Sequence, residues 1–269
     1  MGHNLHRIEP GTTVDLAEID PTDTSAAPGG KDVTRDALAP LTDRLAELQD
    51  MLWAHSSERV LVVLQGIDTS GKGGAIEHVF GNVNPVGLRV TSFKAPAKTE
   101  LARDYLWRVH ANVPADGEIG VFDRSHYEDV LAVRVHELLP EARWRKRFDH
   151  INAFEKLLSD EGTTVVKVFL HLSKDEQKKR LEARLAEPAK RWKFQLGDLD
   201  ARAEWDDYQA AFAEAITRTS TEHAPWYVIP ADKKWYRNWA LAMILVEVLE
   251  AMDLTWPDPE DDLSGIVVN

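Results

Sequence analysis

The chain has 269 residues, of which 43% are hydrophobic and 29% charged, an ordinary globular composition with enough length to bury a full core. The net charge of -13 argues against a surface that binds nucleic acid throughout, and the absence of cysteine excludes disulfides and thiolate metal sites. No apolar run approaches the roughly 18 residues of a membrane span, and residues 1–10 hold no apolar signal core. We therefore expect a cytoplasmic protein without nucleic-acid or membrane partners.

Helical and strand patterns alternate along the chain. Residues 1–34 are rich in Pro, Gly, Thr and Asp, and we expect them to form an irregular arm. Leucines at helical spacing predict a helix over residues 35–55. The apolar run at residues 60–64 is typical of a strand buried on both faces, and a glycine-rich turn and a helix over residues 72–80 follow it.

The same order repeats towards the C-terminus. Strands are predicted over residues 88–93, 118–122, 164–172 and 226–230, and helices over 99–110, 126–136, 140–159, 174–185, 201–217 and 233–252. This alternation predicts an α/β fold, a three-layer α/β/α sandwich around a five-stranded parallel sheet. We expect a single domain over residues 35–256 with an irregular lid at about 184–200, and a loose tail over residues 257–269.

The turn after the first of these strands has the pattern of a phosphate-binding loop. Residues 66–72 read G-x-x-x-x-G-K, in which glycines let several backbone N–H groups face a phosphate chain. The following helix contributes the positive end of its dipole, and Lys72 reaches the outer phosphate. The predicted phosphate-binding residues of this loop are Gly66, Thr69, Ser70, Gly71, Lys72, Gly73 and Gly74.

Two acids are candidates for a metal site beside this loop. Ser or Thr usually follows the loop lysine and binds Mg²⁺ through its hydroxyl, but this chain has Gly73 there. Asp68 would repel phosphate unless a cation lay between them, so we favour a metal role for it over a helix or turn cap. Asp123 ends the strand predicted over residues 118–122, and acids at such strand ends complete Mg²⁺ sites in phosphate-loop proteins.

Cations accompany these acids. Arg124 could neutralise a transferred phosphoryl group, with a surface Asp–Arg pair as the alternative. Further along, Arg184 and Arg191 flank the predicted lid, which in kinases of small phosphorylated molecules closes over the donor and excludes water. The alternative for this basic segment is a solvated helix face. We interpret a second basic cluster, residues 143–147, as a solvated helix face as well.

Four motifs, in this order, resemble those of the polyphosphate kinase 2 family. LQGIDTSGKGG at residues 64–74 is similar to its phosphate loop, and DRSHYED at residues 123–129 is similar to its second motif. RWK at residues 191–193 and the segment 224–235 are similar to its lid and C-terminal motifs. The resemblance implies a thymidylate-kinase-like fold with a helical lid, assembled as a homodimer or homotetramer.

The resemblance also implies transfer of a phosphoryl group between inorganic polyphosphate and a nucleoside mono- or diphosphate. Asp68 and Asp123 would be catalytic acids that organise Mg²⁺, with Mn²⁺ as an alternative. The other implied residues are Lys72, Arg124, Arg184 and Arg191 at the phosphates, and Arg124, Tyr127, Glu128 and Asp129 at the nucleotide. The HYED stretch resembles the branch that acts on both AMP and ADP.

Two other functions stay open on the sequence. One is an ATP-dependent nucleoside monophosphate kinase with the same fold and loop, and the other is a phosphate-loop nucleotide-binding regulator without turnover. The preference between AMP and ADP, and between adenine and guanine, stays open as well. We expect a structural role for His126, because an ionised acceptor phosphate needs no strong general base.

Overall fold

One six-stranded sheet organises the computed structural model, which describes residues 4–259, 261–264, 266 and 268. The strands are β1 (Arg7–Ile8), β2 (Arg59–Gln65), β3 (Leu88–Ser92), β4 (Ile119–Asp123), β5 (Thr163–His171) and β6 (Trp226–Pro230). Their order is β1-β6-β5-β2-β4-β3, and β2 to β6 are parallel whereas β1 is antiparallel to β6. The predicted α/β fold with five parallel strands is confirmed, and an additional antiparallel strand makes the sheet six-stranded.

Helices cover both faces of the sheet. They are α1 (Lys31–Asp36), α2 (Leu38–His55), α3 (Lys72–Val79), α4 (Lys98–Leu101), α5 (Trp107–His110), α6 (Ala132–Val135), α7 (Glu141–Trp144), α8 (Lys146–Asp160), α9 (Lys174–Ala186), α10 (Gly197–Ala203), α11 (Trp205–Thr219) and α12 (Lys234–Glu250). None of the helices within the described residues is both long and apolar enough to cross a membrane.

Strand β2 shows how the two faces are filled. Val60, Val62 and Leu64 pack into one core cluster with apolar residues of α2, α3 and α12. Leu61 and Val63 point to the opposite face and pack with apolar residues of α8 and α11. A strand buried on both faces requires a continuous apolar run, which is what residues 60–64 provide.

The N-terminal arm lies across the body of the protein and is not wholly irregular. Its strand β1 pairs with Trp226 and Tyr227 of β6. Further along the arm, Val14 and Leu16 are buried, and the ring of His171 donates a hydrogen bond to the Ile19 carbonyl at 2.9 Å. A strand of two residues has no periodicity, so the sequence patterns could not predict it.

Several predicted segments differ from the structure in detail. The helices predicted over residues 140–159 and 201–217 are each divided, into α7 and α8 and into α10 and α11. The helix predicted over residues 126–136 is a 3₁₀ turn, His126–Asp129, followed by α6. The Ser125 hydroxyl caps this turn by accepting from the Tyr127 N–H at 3.1 Å, and such local bonds compete with a continuous helix. The helix predicted over 99–110 is likewise split into α4 and α5. The lid, which the sequence pattern predicted to be irregular and the family resemblance predicted to be helical, contains the 3₁₀ turn Pro188–Lys193 and α10.

Candidate active site

The carboxyl ends of β2 and β4 bring the predicted loop and the second acid together. These strands are parallel neighbours, and Leu64 pairs with Asp123 in their register. The Arg124 N–H continues the ladder by donating to the Leu64 carbonyl at 3.1 Å. The loop leaves β2 at the same edge, so Asp123 and Arg124 lie beside it, as expected for a ligand site in an open α/β sheet.

The loop backbone is curled around an inward-facing lysine. Gly66, Thr69 and Gly71 all have positive φ angles, of 156°, 70° and 98°. Lys72 begins α3, is buried, and donates through Nζ to the Gly66 carbonyl at 2.7 Å. The buried hydroxyls of Thr69 and Ser70 have no hydrogen-bond partner within the part of the chain that the structure describes. The loop therefore offers a cation and two unpaired hydroxyls to a ligand.

Gly71 has a steric reason to be glycine, which gives a stability prediction. A Cβ on Gly71 would overlap Nη1 of Arg237, and its φ of 98° is strained for any other residue. We expect Gly71→Ala to lower the free energy of unfolding by more than about 1 kcal/mol, measured by urea denaturation. The matched control is Gly73→Ala, because a Cβ there meets nothing within 4 Å and lies in a helix that alanine favours. Equal stability of the two variants would contradict this prediction.

Asp68 and Arg124 form an ion pair across the mouth of the loop. Burial raises the pKa of Asp68, but the charges of Lys72 and Arg124 outweigh that effect and lower it, so Asp68 is ionised at neutral pH. Burial disfavours the charged form of Arg124, but Glu128, Asp68 and Asp123 together raise its pKa. Arg124 also has a φ of 62°, a left-handed conformation that costs about 1–2 kcal/mol for a residue with a Cβ. Such strain is concentrated at functional sites.

The two acids fit a magnesium site. Oδ1 of Asp123 is buried and has no hydrogen-bond partner among the described residues, which indicates a missing ligand. Across the same residues, no group of three or more His, Asp or Glu side chains could hold a metal ion. Mg²⁺ does not need such a cage, because it binds through one or two carboxylates together with phosphate oxygens and water. Asp68 and Asp123 match that donor set.

Arg184 lies between the acids and the lid. Its Nη1 donates to Asp198 at 3.3 Å and to the Lys193 carbonyl at 3.4 Å, so the side chain is bonded to the lid. It is still close enough to Asp68 to influence that acid. Burial raises the pKa of Asp68, and the charge of Arg184 helps those of Lys72 and Arg124 to lower it. Arg191 is exposed and donates to the Leu185 carbonyl at 2.8 Å. The structure therefore brings Arg184 near Asp68, whereas the hydrogen bond of the Arg191 side chain is to the backbone at the end of α9.

The residues predicted at the nucleotide divide into two groups. Arg124 and Glu128 lie close to the loop. Burial raises the pKa of Glu128, and the charges of Arg124 and Lys72 are near enough to offset part of that rise. Tyr127 is fully buried in the core instead, with its hydroxyl bonded to Glu155 at 2.8 Å. The 3₁₀ turn points successive side chains in different directions, which the sequence could not indicate.

Asp129 also points away from the loop. Its carboxylate accepts from Arg147 at 2.7 Å, and Arg147 packs over the ring of Tyr105. Arg147 is only 12% exposed, so this member of the basic cluster at residues 143–147 is not part of a solvated face. His126 is fully buried and bonded to Glu155, as a structural role requires.

Two arginines that the sequence did not assign hold the loop from behind. Arg180 of α9 donates to the carbonyls of Thr69 and Ser70 at 3.1 and 3.0 Å, and to those of Ala231 and Asp232 at 2.7 and 3.0 Å. Arg237 of α12 donates to the Ser70 carbonyl at 3.3 Å. Neither could be assigned from the sequence, because backbone carbonyls are their acceptors and those of the loop lie more than 100 positions away.

Comparison with known proteins agrees with this geometry. The family model of polyphosphate kinase 2 matches residues 29–257. The chain is 55% identical over 263 residues to an AMP/ADP-polyphosphate phosphotransferase of Meiothermus ruber, covering 98% of both chains. It is 41% identical to an ADP-polyphosphate phosphotransferase of Rhodopseudomonas palustris, covering 94% of this chain and 91% of that one. The crystal structure of polyphosphate kinase 2 from Arthrobacter aurescens TC1 superposes with a TM-score of 0.94 at 46% identity, covering 98% and 95%.

Proposed function

The chain belongs to the polyphosphate kinase 2 family, and we infer that it transfers a phosphoryl group between inorganic polyphosphate and ADP or AMP. The observation that carries this conclusion is the gathering of a phosphate loop, its lysine and two acids at one edge of the sheet. The names of the relatives specify the donor and the acceptors: AMP and ADP in the protein of Meiothermus ruber, and ADP in that of Rhodopseudomonas palustris.

Phosphoryl transfer needs positioning and charge neutralisation more than covalent help. The loop N–H groups and Lys72 would hold phosphates of one substrate. Arg124, already oriented by its ion pair with Asp68, would neutralise charge on the transferred group. Arg184 would bring a further cation from the lid side, and the exposed Arg191 would bind phosphate from the same segment. The acceptor is an ionised phosphate, so these residues need not supply a strong base.

Asp68 and Asp123 would hold Mg²⁺, or Mn²⁺ in its place. The unpartnered, buried Oδ1 of Asp123 supports this assignment. When bound, the metal would supply positive charge between the donor and acceptor phosphates and help to align them. Asp68 would then have two functions, because the same carboxylate also orients Arg124.

For the nucleotide, we propose direct contact by Arg124 and Glu128. Tyr127 and Asp129 would support this contact through the hydrogen bonds that fix the 3₁₀ turn between them. Acceptance of both AMP and ADP is supported by the name of the relative from Meiothermus ruber. The homodimer or homotetramer implied by the family resemblance stays a prediction.

The experiment that tests this function varies the acceptor. AMP, ADP, GMP and GDP are incubated separately with polyphosphate and Mg²⁺, without ATP, and the nucleotides are resolved by anion-exchange chromatography. We expect AMP to yield ADP and then ATP, and ADP to yield ATP, because each of these acceptors ends in an ionised phosphate that can accept the transferred group. Reactions without polyphosphate are the control. Failure of all four acceptors to gain a phosphate would contradict the proposal.

A further inference from the structure

A buried arginine behind the phosphate loop has no counter-charge among the residues that the structure describes. Arg237 of α12 is only 2% exposed. Its Nε and Nη2 donate to the side-chain oxygen of Asn238 at 3.1 and 2.7 Å, and its Nη1 donates to the Ser70 carbonyl at 3.3 Å. All three acceptor contacts are to neutral groups, so the guanidinium is hydrogen-bonded but not neutralised.

Arg237 forms no salt bridge with any acid in the described residues, in contrast to its neighbour Arg180. Arg180 is paired with Glu176 at 2.9 Å. Burial and the like charge of Arg180 lower the pKa of Arg237 to about 10, so it still carries its charge at neutral pH. The negative charges of Asp68 and Asp123 favour the charged forms of Lys72 and Arg124 instead. A buried charge without a partner destabilises a fold, which calls for a reason to keep it.

The position of this charge supplies the reason. The guanidinium lies against the glycines that open α3: a Cβ on Gly71 would overlap Nη1, and one on Gly74 would lie 3.6 Å from Nη2. The N-terminus of α3 itself carries partial positive charge. Lys234, one turn before Arg237 on α12, adds another cation, whose pKa is lowered by burial and by Arg180 and Arg237. The guanidinium of Arg237 and the N-terminus of α3 therefore both place positive charge at the backbone that would surround a phosphate.

We propose that Arg237 is a positioning residue of the phosphate loop, and that its missing counter-charge is the phosphate chain that the loop binds. Arg237 contacts the backbone of Ser70 and Gly71 and so holds the shape of the loop. It also places a positive charge beneath the loop. This inference rests on the proposed function, because that function supplies the polyanion. The ligand-free protein keeps an uncompensated cation, and binding of phosphate compensates it.

The test measures phosphate binding rather than turnover. Tripolyphosphate is titrated into the full-length protein by isothermal calorimetry, for wild type and for Arg237→Met, which keeps most of the volume and removes the charge. We expect binding to weaken about tenfold or more, as the loss of one nearby charge at reduced dielectric predicts. Arg237→Lys keeps the charge and should restore most of the affinity. The matched control is Arg143→Met, which removes one exposed cation from α7 and should leave the affinity unchanged.

Thermal stability is measured as well as affinity, to separate a loss of phosphate binding from a loss of folding. Methionine leaves the Asn238 oxygen without its donors, so the double variant Arg237→Met/Asn238→Leu is titrated as well. We expect both variants to unfold within a few degrees of wild type without ligand and to gain less thermal stability from tripolyphosphate.

Three outcomes would overturn the proposal in different ways. Wild-type affinity in folded Arg237→Met or the double variant would overturn this inference alone. Equal weakening by Lys and Met would overturn the assignment to charge. A wild-type protein that binds no tripolyphosphate would overturn the proposed function and this inference with it.

Discussion

Asp123→Asn is expected to abolish phosphoryl transfer while the protein stays folded. The substitution keeps the shape of the side chain and removes the charge that would hold the metal. Loss of one preorganised electrostatic group costs about 10²–10³ in turnover, and loss of a metal ligand should cost at least that. Oδ1 of Asp123 has no hydrogen-bond partner among the described residues, so the ligand-free variant loses no hydrogen bond at that atom and should still fold.

Asp68→Asn should give a comparable loss for a further reason. Besides its proposed metal role, Asp68 pairs with Arg124, so asparagine also weakens the charged contact that orients this arginine. Initial rates with polyphosphate and ADP, together with thermal unfolding, check both variants. Asp160→Asn is the control, because Asp160 is an exposed acid on α8 whose ion pair, with Lys156, is exposed as well. Activity of either site variant near the wild-type level would contradict the metal assignment.

The second large effect is expected at a buried ion pair beneath the site. Lys167 of β5 and Glu155 of α8 are both fully buried, and Nζ of Lys167 donates to Glu155 at 2.6 Å. The same ammonium donates to the Thr219 carbonyl at 2.6 Å and to the Tyr127 hydroxyl at 3.0 Å. Burial raises the pKa of Glu155, but the charges and hydrogen bonds of Lys167 and His126 together outweigh that effect and lower it, so the carboxylate is ionised. This network joins the core to the turn that carries Glu128.

Lys167→Met should lower the free energy of unfolding by about 3–5 kcal/mol, because it leaves the Glu155 carboxylate buried without its partner. The double variant Lys167→Met/Glu155→Leu should cost less than the sum of the two single changes, since it removes both charges. Urea denaturation measures all three variants. Lys156→Met breaks the exposed pair with Asp160 and should cost about 1 kcal/mol or less. If Lys167→Met also costs only about 1 kcal/mol or less, the account of this network is contradicted.

The sequence predicted those parts of the fold and site that depend on local pattern. Continuous apolar runs marked the parallel strands, and the glycine-rich turn marked the loop. The family resemblance read from four motifs is confirmed by the match over residues 29–257. Asp68 and Asp123 were predicted to meet because the phosphate loop and the end of the strand that carries Asp123 share one edge of a parallel sheet, and both acids lie by Lys72 and Arg124 in the structure.

The parts that it did not predict depend on contacts between distant segments. Tyr127 lies within the DRSHYED motif, yet its side chain turns into the core, where its hydroxyl donates to Glu155 at 2.8 Å. Arg237 contacts the loop from 167 positions away. Strand β1 is too short to carry a pattern, and its pairing with β6 depends on the rest of the sheet.

The donor is the most direct test of the central claim. The protein is incubated with Mg²⁺ and ADP plus polyphosphate in the absence of ATP, and separately with AMP plus ATP in the absence of polyphosphate, and formation of ATP and ADP is followed over time. A polyphosphate kinase should form ATP in the first reaction, with polyphosphate consumed in step, and do so faster than it forms ADP in the second. Rapid ADP formation from AMP and ATP, with no ATP formed from polyphosphate and ADP, would contradict the account.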